Sequence, residues 1–106
     1  MVHDRGMMQE LKRKLQEMYG RSFRAIPGVF LVEYTDGPDG DFFIIFHYRT
    51  RDGEKKVFRK HFDNHYVFGS SCNEPNRERW QPRMRVCRFG METISDVLGA
   101  MGVSKR

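Results

Sequence analysis

The chain is poor in cysteine and proline, with two of the first and four of the second in 106 residues. Cys72 and Cys87 stand too far from the cysteine-dense pattern of small secreted domains to make a disulfide scaffold, and both are expected as free thiols. Long hydrophobic runs are missing as well: none approaches the roughly 20 residues that a membrane-spanning helix needs. The first residues, MVHDRGMMQELKRK, lack the apolar core of a signal peptide. The expectation is an intracellular protein of the cytoplasm or nucleus, not secreted and without a membrane partner. No glycine-rich loop follows a strand and opens a helix; Gly37 and Gly40 sit in a turn-forming stretch with Pro38. There is no internal repeat, low-complexity tract or linker.

Aromatic residues and charge are plentiful. Nine Phe, four Tyr and one Trp argue against intrinsic disorder even with 31% charged residues. A length of 106 residues suits one domain with a modest core, so residues 1–106 are read as a single unit. The net charge of +5 is unevenly spread. Glu33, Asp36, Asp39 and Asp41 make the first strand region acidic, whereas Arg77, Arg79, Arg83, Arg85 and Arg88 make the late segment basic. Such polarity suits an anionic partner on one side, although it also serves solubility.

The clearest local pattern runs from Phe42 to Phe62. Phe42, Ile44, Phe46 and Tyr48 share one parity; Phe43, Ile45, His47 and Arg49 share the other. Alternation over that length predicts a strand with one apolar face and one face that turns basic. Arg51-Asp52-Gly53 then reads as a three-residue loop with Gly53 left-handed, pairing Phe46 with Phe58 and Phe42 with Phe62. A two-residue Asp-Gly turn is the alternative, but it mixes basic and apolar groups on both faces. The favoured register collects Arg49, Arg51, Lys55, Arg59, His47 and His61 on one face, with Lys56 and Lys60 on the apolar side.

Around this hairpin the periodicity predicts a helix from about Asp4 or Met7 to Tyr19, ended by Gly20, with Met8, Leu11, Leu15 and Met18 as its stripe. A strand follows from Val29 to Tyr34. A short strand at His65–Phe68 and a last strand at Arg83–Phe89 are read from composition and alternation, with a long loop from Gly69 to Pro82 anchored by Trp80. A final helix from about Met91 to Met101 presents Met91, Ile94, Val97, Leu98 and Met101 and ends at Gly102. The fold class expected is α+β: an N-terminal helix, an antiparallel sheet of four to five strands and a C-terminal helix, with both helices on one sheet face. The opposite face, with Val29, Leu31, Phe43, Ile45 and Val57 among its basic residues, then needs covering by the long loop, a second copy of the protein or a ligand.

Enzyme chemistry finds little to stand on. His61, His65, Cys72 and Cys87 lack the short ligand spacing of zinc modules, and although His65 is close to Cys72 in sequence, no oxyanion-binding loop or third orienting group is recognisable. Asp36, Asp39 and Asp41 lie in a turn, where short carboxylates bond their own backbone. No catalytic residue, metal, cofactor or small-molecule substrate is expected. Nucleic-acid binding would use Arg49, Arg51, Lys55, Arg59 and His61 on the sheet, with Arg77, Arg79, Trp80, Arg83, Arg85 and Arg88 as a second cluster. The order helix, strands, helix is similar to that of double-stranded RNA-binding domains. That family opens its last helix with lysines, whereas this helix reads Met91-Glu92-Thr93 with Asp96, so the likeness ends at element order and no residue is carried over. The competing reading is a protein-interaction module. Seven methionines and an arginine-rich late segment suit an adaptable interface, and pairing of an exposed edge strand such as Arg83–Phe89 gives a route to a homodimer. The sequence expectation is therefore a non-enzymatic binding or adaptor domain acting through protein contacts and self-association, with RNA or DNA binding as the alternative.

Overall fold

The structure, a computed structural model, describes residues 2–68 and 82–102. Its elements are α1 (Val2–Arg24), β1 (Val29–Asp36), β2 (Phe42–Arg49), β3 (Lys55–Phe62), α2 (Asn64–Phe68) and α3 (Pro82–Ala100). The strands form one antiparallel sheet in the order β1-β2-β3. This is a small α+β domain with a helix at each end of the chain order. Among the described residues the sheet has three strands, not the four to five expected.

The two surplus strands are helices. Pro82–Ala100 is a single helix, so the strand expected at Arg83–Phe89 is its first half and the helix begins well before Met91. Read alone, the segment alternates; read onward, Val86, Phe89, Thr93 and Val97 recur at helical spacing, and all four are buried. Proline at the first helical position costs nothing there, because that N–H has no intrahelical partner. The strand expected at His65–Phe68 is α2. Asp63 caps it: its carboxylate accepts the Tyr66 N–H at 2.7 Å and its carbonyl the Val67 N–H at 3.0 Å.

Helix α1 also runs past its expected end. Gly20 lies inside it and is buried. A Cβ built there would stand 3.8 Å from the Tyr34 hydroxyl, an ordinary contact. The stripe follows Met8, Leu11, Leu15 and then Phe23, all fully buried, while Met18 is half exposed. The left-handed position falls instead at Gly28 (φ 95°), just before β1. At the far end Gly102, with φ 80°, closes α3 as expected, and Met91 is exposed rather than part of the stripe.

The β2–β3 register is the one the phenylalanines favoured. Phe46 pairs with Phe58 and Phe42 with Phe62, Thr50 N–H reaches the Glu54 carbonyl at 2.9 Å, and Gly53 has φ 88°. The β1–β2 connection is built alike: Gly37 N–H donates to the Asp41 carbonyl at 2.7 Å and Gly40 is left-handed at φ 86°. Phe42, Ile44, Phe46 and Phe62 point into a core shared with Met8, Leu11, Leu15, Phe23, Val86, Phe89 and Val97. Both long helices thus cover the same sheet face. Phe42 stacks on Phe62 with centroids 4.8 Å apart, and Phe89 meets Phe62 edge-on at 5.9 Å.

Candidate binding interface

Because β2 and β3 pair in that register, everything of the opposite parity gathers on the second sheet face. Leu31, His47 and Val57 form one transverse row; Glu33, Ile45 and Arg59 form the next; Thr35, Phe43 and His61 form the third. Arg49 and Lys55 face each other at the hairpin end, and Arg51 is exposed in the loop beyond them. No described helix packs on this face. Leu31 is 44% exposed and Val57 43%, one on each outer strand of the sheet.

A β-bulge between Val29 and Leu31 changes what β1 contributes. Val29, expected on the open face, pairs with Tyr48 and packs against the core instead. Phe30 takes its place on the open side, 51% exposed. The Arg49 guanidinium carbon lies 5.6 Å from the Phe30 ring centroid and Lys55 Nζ 5.9 Å, with the His47 ring 6.1 Å away. Sequence periodicity misses Phe30, since a bulge leaves no mark in an all-apolar stretch.

Two imidazole–carboxylate pairs border the face. His47 Nε2 is 2.8 Å from Glu33 Oε1, and His61 Nε2 is 2.7 Å from Asp41 Oδ2. The bond from His61 holds the Asp41 carboxyl below its ordinary value, helped by the Asp39 backbone N–H and opposed by partial burial. His61 also lies parallel to Phe43 at 4.3 Å, so its position is fixed from two sides. Among the described residues, Arg49, Arg51, Lys55 and Arg59 enter no ion pair.

On the helix side, Lys60 is a mostly buried cation among apolar side chains. Its ammonium donates to Asp96 Oδ2 at 2.6 Å and to the Tyr66 hydroxyl at 3.1 Å, and Tyr66 donates in turn to Glu92. Burial pulls the Lys60 pKa down, but the bonds to Asp96 and Tyr66 outweigh it and the net shift is upward. The cluster ties β3, α2 and α3 together; a lysine held charged by a carboxylate is a clamp, not a nucleophile.

Of the residues expected to bind a partner, Arg49, Lys55, Arg59 and His61 share the open face and Arg51 stands at its rim. Arg83 and Arg85 lie in the first turns of α3, not on a strand. Arg88 is on the same helix, exposed, with Nε 3.3 Å from Glu92 Oε2. Arg77, Arg79 and Trp80 lie outside the described residues, as do Cys72 and most of the Gly69–Pro82 loop. Cys87 is an exposed free thiol. Among the described residues no group of His, Cys, Asp and Glu is placed to hold a metal ion, and no helix is long and apolar enough to cross a membrane. No family model, curated protein or solved structure matches this chain.

Proposed function

We propose that the domain is a non-enzymatic binding module that works through contacts with other protein chains, its own copies included, and that the outer edge of β1 carries the self-association. What supports this is an asymmetry between the two sheet edges. The outer strand β3 carries Lys55, Lys56, Arg59 and Lys60, the kind of charge that keeps an edge from pairing with another chain. From Leu31 to Asp36 the outer strand β1 carries neither lysine nor arginine.

The backbone of β1 is suited to such pairing. Gly37 donates to Asp41, so the antiparallel alternation turns Thr35, Glu33 and Leu31 toward β2. The N–H and C=O groups of Val32 and Tyr34 then face outward. Symmetric antiparallel pairing with a second β1 satisfies them and joins two sheets into one of twice the width. The bulge limits the contact to the regular run Leu31–Asp36. The edge strand expected at Arg83–Phe89 is helical and takes no part.

Light scattering is the test. The wild type is expected at twice 12.6 kDa at high micromolar concentration. Leu31→Lys with Thr35→Lys, both exposed positions, should return it to a monomer of unchanged helix content. A wild type that stays monomeric throughout sinks this reading.

A further inference from the structure

We infer that the open sheet face binds single-stranded polynucleotide, with Phe30 as the stacking platform and Arg49, Arg51, Lys55 and Arg59 as phosphate contacts. The bulge is the first observation. Continued without it, the β1 register would leave Val29 beside Leu31 on this face and bury Phe30; with it, Phe30 and Leu31 emerge side by side. Bulges are recurrent devices for re-aiming a side chain. Here the re-aimed residue is a phenyl ring, 51% exposed, with a guanidinium 5.6 Å and an ammonium 5.9 Å from its centroid.

Charge is the second observation. Four cations on or beside this face lack carboxylate partners among the described residues, while Glu33 is held by His47 and Asp41 by His61. Two copies of such a face would set like charges against each other, so the face does not suit a second copy of this chain. A polyanion does suit it. Aromatic rings interleaved with cations match a chain that alternates bases with phosphates, because bases stack on ring faces and phosphates take the cations.

Single strands fit better than a duplex. Only unpaired bases present free faces for stacking, whereas a duplex keeps its faces inside and is gripped through grooves and backbone. An acidic peptide strand fits less well, since strand-like binding uses ladder hydrogen bonds and the middle of a sheet face has none free. RNA and DNA share the required chemistry and are separated by experiment.

The test is fluorescence anisotropy on the full chain with labelled oligouridylate and oligothymidylate of about 12 nucleotides, within the usual site sizes. The matching RNA and DNA duplexes and polyglutamate serve as competitors over a sodium chloride series. Single strands should bind, with a log K against log salt slope approaching roughly −3 for four contacts at about −0.7 each. Phe30→Ala should weaken binding about tenfold with little change in slope, and Phe30→Trp should restore it. Arg49→Gln, Lys55→Gln and Arg59→Gln should each flatten the slope by about 0.7. Repeating the series below the concentration at which light scattering detects a dimer should give the same affinity, which separates this result from the oligomeric state. Absence of single-strand binding at low salt overturns the inference. So does Phe30→Ala binding as wild type, or polyglutamate competing as well as oligouridylate. Duplexes bound more tightly than single strands would also overturn it, and would move attention to Arg83 and Arg85 at the start of α3.

Discussion

Gly90 of α3 abuts the ring of Tyr19 in α1: a methyl group on Gly90 would stand 2.6 Å from Cε1 and Cζ of that ring. The two long helices meet here, and the Tyr19 hydroxyl reaches the Cys87 carbonyl at 3.5 Å nearly one turn away. Glycine inside a helix sacrifices propensity, so its presence marks the close approach rather than a need for flexibility.

Gly90→Ala therefore sets two effects against each other. Alanine gains about 1 kcal/mol of helix propensity. Overpacking against Tyr19 costs about 1–3 kcal/mol, and the clash should win. Gly99 is the control in the same helix, exposed and with nothing within 4 Å of its missing Cβ. Gly99→Ala should raise the melting temperature by several degrees, as about 1 kcal/mol is worth roughly 4–8 °C in a domain of this size. Gly90→Ala should lower it. If both variants gain equally, the helices lie farther apart than described.

The hairpin Phe42–Phe62 was legible from residues alone because three signals agreed: strict alternation, a turn glycine, and a single register that puts phenylalanine opposite phenylalanine. That register also placed Arg49 and Arg59 on one face. The late segment was not legible, because Arg83–Phe89 alternates locally and its helical period appears only when Val86 and Phe89 are read with Thr93 and Val97. The short α2 depended on a cap at Asp63 rather than on any periodicity. Phe30 was hidden for a different reason: Val29, Phe30, Leu31 and Val32 are all apolar, so neither parity announces which side chain a bulge will turn outward.

The left-handed turn residue gives a second prediction. Gly53 has φ 88° and open space around it, so Gly53→Ala meets conformational strain without a clash. The expected cost is about 1–2 kcal/mol, the penalty of the left-handed region for a residue with a Cβ. Gly53→Asn should lose less, since its side chain tolerates that region. Urea titrations should show a lower midpoint with an unchanged slope for alanine. Equal losses for both variants would place the residue outside that conformation.

Lys60 supplies a third. Lys60→Met keeps the stem but leaves Asp96 and the Tyr66 hydroxyl without their donor. Asp96 is half exposed and screened, so the loss should be about 1–2 kcal/mol. The pH dependence has a definite sign. The folded pKa is raised, so the stabilisation is complete below the ordinary lysine value and disappears as pH rises through the folded one. Wild type and variant should therefore converge in strongly alkaline solution. A gap that persists there would mean that packing of the stem, not the ion pair, carries the effect.

Asp41 titrates at the opposite end. Its carboxyl is held below the ordinary value chiefly by His61, and its Oδ1 also accepts the Asp39 N–H at 3.2 Å. A depressed folded pKa means that the unfolded chain takes up the proton first on acidification. The stabilisation is thus full above the ordinary aspartate value of about 3.9 and is lost as pH falls beneath it. Asp41→Asn keeps an acceptor for Asp39 and removes the charge. Its urea midpoint should lie below wild type at pH 7 and approach it at acid pH, while His61→Gln should remove most of the same pH-dependent difference. Other carboxylates titrate in both proteins and cancel in the comparison. A difference that stays constant from neutral to acid pH would show that the His61–Asp41 contact contributes shape to the hairpin but no linkage to protons.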